Sequence, residues 1–145
     1  MKQVKFELIE GGIYGDERGE LSFVNDFNFK DVVRFYTIKN KDLSVIRAWQ
    51  GHQYETKYFY VLEGSFLISL ILIDDWINPS RDLEPTSIVL TSNKSQILKV
   101  PGGYANGIKS LEEESKLIVY SDFTIEQSQK DNFRFESDFW KLHND

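Results

Sequence analysis

Short runs of Val, Ile, Phe, Tyr and Thr alternate along this chain with clusters of Gly, Pro, Asn and Asp, which is the signature of β-strands joined by turns. The pattern predicts strands near Val4–Ile9, Glu20–Val24, Val32–Ile38, Val45–Trp49, Tyr58–Leu62 and Phe66–Ile73. Further strands are predicted near Thr86–Leu90, Ile97–Val100, Ala105–Ser110 and Lys116–Ser121. Breakers between them include Gly11-Gly12, Gly15, Gly19, Gly64, Asn78-Pro79 and Pro101-Gly102-Gly103. About ten short strands at near-regular spacing, with no sustained helical period, predict an all-β barrel or sandwich, with a double-stranded β-helix (jelly roll) favoured. Thr124–Lys130 alone reads as helix, Thr124 and Gln127 forming a capping box. No linker or repeat divides the chain, so residues 1–145 are expected to form one domain.

Tyr58-Phe59-Tyr60-Val61-Leu62 is apolar at every position, as in a central strand covered on both faces. Its aromatics read first as core. Inside a barrel they also suit the wall of a cavity for a base or sugar ring.

Composition narrows the chemistry. There is no cysteine, which removes disulfides, thiolate metal sites and a cysteine nucleophile. The start of the chain has no signal-peptide run, and the most apolar stretch, Phe66–Ile73, is about half the length of a membrane span, so a cytoplasmic protein with no membrane partner is expected. A net charge of −6 argues against a nucleic-acid partner but leaves room for a local basic pocket.

The densest set of chemically capable residues is Arg47–Lys57, which holds His52, one of only two histidines. A strand through this segment would send Arg47, Trp49 and Gly51 to one face and Gln50 and His52 to the other. A soft metal site needs two or three imidazoles from separate strands, and no clustered carboxylate loop offers a hard-metal alternative, so no metal and no cofactor are expected. Taken singly, His52 reads as an ordinary hydrogen-bonded histidine, Lys57 as a surface lysine and Tyr36 as the edge of the core. Taken together, they suit removal of a proton beside a carbonyl, which needs a base titrating near neutrality and a donor for the enolate oxygen.

Several motifs also resemble one family, the cupin-fold enzymes acting on dTDP-4-keto-6-deoxyhexoses, which comprise sugar 3,4-ketoisomerases and dTDP-4-dehydrorhamnose 3,5-epimerases. Asp16-Glu17-Arg18-Gly19 resembles the family's Asp-x-Arg-Gly turn, and Arg34-Phe35-Tyr36 its Arg-x-Tyr. Arg47-Ala48-Trp49-Gln50-Gly51-His52 is similar to the ketoisomerase pattern Arg-Gly-aromatic-His-x-His, and Lys57 falls where the epimerases carry a sugar-binding lysine. Pro101–Gly107 resembles the epimerase run Pro-x-Gly-Phe-Ala-His-Gly. Ser121-Asp122-Phe123 with Phe133-Arg134-Phe135 resembles the ketoisomerase tail. The chain departs from the pattern at three positions, with Gln50 and Asn106 in place of histidines and Phe123 in place of a tyrosine.

The resemblance implies a cofactor-free isomerase or epimerase of deoxysugar biosynthesis, closer to the 3,4-ketoisomerases, working through an enediolate. In that reading His52 shuttles protons, Lys57 and Tyr36 polarise the keto oxygen, and Arg47 or Arg18 holds the diphosphate. Trp49, Tyr58 or Tyr60 stacks on the thymine, and Gln50 and Asn106 contact the substrate. It also implies a homodimer that exchanges its N-terminal segment, for which Met1–Glu10 has the alternating pattern; a strand covering its own chain fits that pattern equally well. The alternative to an enzyme is a barrel that binds the sugar nucleotide without turning it over.

Overall fold

The computed structural model describes residues 5–142. Twelve strands and one short helix are present among them, and every strand pairing is antiparallel. In chain order the strands are β1 (Glu7–Glu10), β2 (Gly12–Asp16), β3 (Gly19–Phe23), β4 (Arg34–Ile38), β5 (Ile46–His52), β6 (Lys57–Glu63) and β7 (Ser65–Leu72). They continue with β8 (Thr86–Thr91), β9 (Gln96–Val100), β10 (Tyr104–Ser110) and β11 (Lys116–Ser121), then helix α1 (Ile125–Gln129) and β12 (Phe133–Arg134).

One five-stranded sheet runs β1-β9-β6-β11-β4 and a second runs β12-β5-β10-β7-β8, with β2 and β3 forming a separate hairpin. The two sheets face each other as the jelly-roll barrel predicted from the strand pattern. Their inner faces meet in a dry core that includes Phe59, Phe66, Ile68, Leu98, Leu117 and Val119, each essentially without solvent exposure. A second cluster, on the outer face of β5, β7 and β10, joins Trp49, Leu67, Ile71 and Ala105 to Trp140 and Leu142 of the C-terminal segment. Because it lies between these clusters, β7 is buried along nearly its whole length, which its continuous apolar sequence required.

Ten strands lie where the pattern placed them, with ends shifted by a few residues. β5 runs three residues beyond the predicted end, to His52, and β4 begins at Arg34 rather than Val32. Two strands were not foreseen. In β2, Gly12 and Gly15 read as turn residues, yet both pair with β3; a Cβ on Gly12 would come within 2.7 Å of the Phe23 ring, so the close packing of the hairpin selects glycine. β12 is two residues long and exists because β5 offers it a free edge at Gly51 and Gln50. β6 is the central strand of its sheet as expected, but it is not covered throughout on its outer face, where Tyr60 is half-buried and Leu62 is 51% exposed. Part of the N-terminal segment expected to cross to a second copy, Glu7–Glu10, pairs with β9 of its own chain, while Met1–Val4 lie outside the described residues, as does His143. No helix among the described residues is long and apolar enough to cross a membrane.

Candidate active site

At one end of the barrel the strands part around an open cleft of about 790 Å³. Strand alternation delivers its inner wall. On β4, Arg34 and Tyr36 point inward opposite Ser121 and Val119 of β11. On β6, Lys57 precedes the core residue Phe59 on the same face. On β10 and β5, Asn106 and Gln50 are paired neighbours. Helix α1 and the residues after it close the side, bringing Ile125, Ser128, Gln129, Asn132 and Arg134 to the wall.

The register of β5 against β10 shifts within this wall. Gln50 pairs with Asn106 and Arg47 with Ile108, so Ala48 and Trp49 together oppose Gly107. That bulge corrects the simple alternation expected of β5. Arg47 and Gln50 both belong to the cleft, while the Trp49 ring packs edge-on against Trp140 in the outer cluster and its Nε1–H donates to the Trp140 carbonyl at 3.0 Å. Trp49 is 1% exposed, so its ring is not available for stacking on a ligand. Gly51 faces the same outer side, where a Cβ would meet the Trp76 ring at 2.7 Å.

Three other residues expected at the site are placed elsewhere. Tyr58 and Tyr60 sit on the outer face of β6, opposite in direction to Lys57; Tyr58 packs against Phe27, and the Tyr60 hydroxyl is 3.3 Å from Ser95 Oγ. Arg18 is at the tip of the β2–β3 hairpin, 83% exposed and paired with Asp16 at 2.7 Å. His52, expected as the catalytic proton carrier, is 3% exposed and does not line the cleft. The structure does bring together Tyr36, Arg47, Gln50, Lys57 and Asn106. It adds Arg34, Asn132 and Arg134, of which Arg34 was legible as the inward neighbour two positions before Tyr36.

Beyond the wall lies a layer of buried polar side chains. Glu55, 1% exposed, accepts hydrogen bonds from the hydroxyls of Ser121 and Ser128 and from Arg34 Nη2 at 3.3 Å, and its Oε1 lies 3.3 Å from His52 Nδ1. Asp131 accepts the backbone N–H groups of Gln53, Tyr54 and Glu55 at 2.8 to 2.9 Å, which holds the β5–β6 loop against the C-terminal segment. His52 Nδ1 is 2.7 Å from the Asp131 carbonyl oxygen. Since a carbonyl can only accept, that contact assigns the proton to Nδ1 and the lone pair to Nε2. The latter is buried and has no hydrogen-bond partner among the described residues.

The wall is strongly cationic. Arg34, Lys39, Arg47, Lys57 and Arg134 line it, with no Asp or Glu among the described lining residues, in a chain whose net charge is −6. Lys57 Nζ donates to Gln50 Oε1 at 3.2 Å, and Gln50 Nε2 donates to Asn132 Oδ1 at 3.1 Å. The Tyr36 ring lies 5.2 Å from the Arg34 guanidinium carbon and 5.7 Å from Lys57 Nζ. Burial brings the Lys57 pKa down to about 8, Arg34 and Arg134 adding to the effect while Glu55 opposes it. Burial pushes Tyr36 up to about 12, with the Glu55 charge adding and Arg34 opposing. His52 is lowered from 6.5, by burial first and then by the Lys57 charge, against the pull of Glu55. The cleft therefore combines anion-binding charge, a phenol that stays protonated and an amine that loses its proton near pH 8. No group of three or more His, Cys, Asp or Glu side chains among the described residues is arranged to hold a metal ion.

Two facing antiparallel sheets, a central strand running into the cleft and a cationic open end define the class: a cupin-type double-stranded β-helix with a cationic mouth. Solved structures place it further. The QdtA sugar 3,4-ketoisomerase from Thermoanaerobacterium thermosaccharolyticum, determined with TDP, is 21% identical, with a TM-score of 0.71 over 93% of this chain and 91% of that one. The WlaRB TDP-quinovose 3,4-ketoisomerase from Campylobacter jejuni is 21% identical, with a TM-score of 0.67 over 96% and 98%. The 3,5-epimerase RmlC from Legionella pneumophila, determined with dTDP-4-keto-L-rhamnose, is 18% identical, with a TM-score of 0.72 over 91% and 73%. The chain thus has the cupin fold of the enzymes that act on dTDP-4-keto-6-deoxyhexoses, as its motifs indicated. No protein-family model and no curated protein sequence matches it.

Proposed function

We propose that this chain is a metal-independent isomerase or epimerase of a dTDP-linked 4-keto-6-deoxyhexose, closer to the 3,4-ketoisomerases than to the 3,5-epimerases. The observation that carries the reading is the cleft wall itself: Arg34, Lys39, Arg47 and Arg134 share it with Lys57 and Tyr36, with no carboxylate among the described lining residues. The exposed guanidinium groups of Arg47 and Arg134 suit a diphosphate, which the planar fork of arginine matches with paired hydrogen bonds. Ile38, Ile46, Ile108 and Ile125 supply apolar wall for a base or a deoxysugar methyl group. Tyr36 keeps its proton at neutral pH, so its hydroxyl serves as the hydrogen-bond donor to a keto oxygen that gains charge as an enediolate forms.

The motif resemblance and the solved structures support the same substrate class, because QdtA and RmlC were determined with TDP-linked ligands in the same fold. A second reading has its own support. Gln50 and Asn106 are neutral amides, and His52 is off the wall, as in a barrel that binds the nucleotide sugar without converting it.

Incubation with dTDP-4-keto-6-deoxyglucose in deuterium oxide separates the two. The enzyme reading expects migration of the keto group to C3 with deuterium at C4 of the product. Stabilisation by dTDP with no exchange would establish the binding barrel, and neither binding nor exchange would remove both.

A further inference from the structure

We propose that Lys57 is the base that carries the proton in this cleft, and that His52 is a positioning residue outside its wall. This rests on the isomerase reading above. A general base has to reach within about 3 Å of the hydrogen it removes. His52 does not meet that condition: its Nδ1 is engaged by the Asp131 carbonyl at 2.7 Å, its Nε2 is buried, and the side chain does not line the cleft.

Elimination among the wall residues leaves one group. Gln50 and Asn106 have no titratable proton. The guanidinium groups of Arg34, Arg47 and Arg134 offer only N–H donors and no lone pair to take a proton. Tyr36 holds its proton to about pH 12. Lys39 is exposed and paired with Glu114 at 2.9 Å. Lys57 is 4% exposed overall yet lines the cleft, and it is oriented by its 3.2 Å bond to Gln50 Oε1. The charged and titratable groups facing it are Arg34 and Tyr36 from β4, His52 from β5, Glu55 from the loop between β5 and β6, and Arg134 from β12. Burial together with the arginines outweighs Glu55, so the amine is neutral in a useful fraction near pH 8.

The step balances within the substrate. Neutral Lys57 Nζ takes the proton from C3 beside the 4-keto group, the C–H electron pair becomes the C3–C4 double bond, and the carbonyl pair moves to the 4-oxygen, where the Tyr36 hydroxyl donates. The proton of the 3-hydroxyl passes to the 4-oxygen, the resulting 3-oxyanion re-forms a carbonyl, and the Lys57 ammonium returns its proton to C4. The product is an isomer, and the base ends as it began. Gln50, at the first of the two histidine positions of the motif that Arg47–His52 resembles, thus becomes the side chain that orients the lysine.

Lys57→Arg is the decisive variant, because it preserves a cation for the keto oxygen and removes a base that can be neutral. With dTDP-4-keto-6-deoxyglucose in deuterium oxide, Lys57→Arg and Lys57→Gln are expected to lose at least about 1,000-fold in the rate of exchange, read as deuterium incorporated at C4 of the 3-keto product, while dTDP still raises the melting temperature of Lys57→Arg. His52→Gln, which keeps a donor toward the Asp131 carbonyl, is expected to lose less than about tenfold, and wild-type exchange should rise with pH and level off above about 8. Exchange in Lys57→Arg within tenfold of wild type, or loss in His52→Gln as deep as in Lys57→Gln, would overturn the assignment. Absence of exchange in the wild type would instead sink the isomerase reading on which it depends.

Discussion

The residue that organises the polar layer behind the cleft is Glu55. It contacts two serine hydroxyls, one arginine and one histidine from four different parts of the fold, and it lies out of contact with water. Removing one member of a buried charged network leaves its partners desolvated and unpaired, which costs about 3 to 5 kcal/mol. Glu55→Ala should therefore lower the unfolding free energy by about that amount in urea titrations, even though Glu55 does not line the cleft. His52 makes a pH prediction at the same scale. Its folded pKa is below 6.5, so the unfolded chain binds more protons there than the folded one. Its contribution to stability is complete above about pH 6.5 and is lost as the pH falls below that. Melting temperatures between pH 5 and 7.5 should accordingly vary less in His52→Gln than in the wild type.

At the scale of elements, the short helix α1 does more than its length suggests. Thr124 Oγ1 accepts the Gln127 N–H at 3.2 Å and Gln127 Oε1 accepts the Thr124 N–H at 2.8 Å, the reciprocal capping box expected from sequence. Loss of the cap in Thr124→Ala should cost about 1 kcal/mol by urea unfolding. Because α1 carries Ile125, Ser128 and Gln129 to the cleft, the same change should weaken dTDP binding in calorimetry by a few-fold without abolishing it. The cap was legible because it is a local pattern spanning four residues, Thr124 to Gln127. Strand β12 was not, since two residues carry no periodicity and their structure is dictated by the free edge of β5.

For the molecule as a whole, the distribution of charge matters more than its total. An acidic chain concentrates cations at one opening, a field that favours the anionic ligand proposed for that cleft. The affinity for dTDP should fall as sodium chloride is raised from 20 to about 200 mM, since exposed Arg47, Arg134 and Lys39 are screened within a Debye length of about 10 Å. Arg47→Ala should flatten that dependence in the same titration. The homodimer expected from family resemblance is checked by light scattering on the full chain; a monomeric mass would leave β1 as a strand that only covers its own barrel.

Alternation of apolar and polar residues, read with the turn-forming breakers, determined ten of the strands and the capped helix, because each depends on neighbours close in the chain, and the number and spacing of those strands pointed to the barrel class. The motifs likewise marked the Tyr36, Gln50 and Lys57 positions. Which way the side chains of β5 face was decided by a register shift against β10, and a bulge of that kind depends on a partner strand more than fifty residues away. The placement of Tyr58 and Tyr60 away from the cleft followed from the direction of β6 within its sheet. The difference between His52 and Lys57 was also tertiary. Both are ordinary titratable residues in the sequence, but burial changes what each can do. One is enclosed by Asp131 and Glu55, and the other is left desolvated on the wall of a cleft.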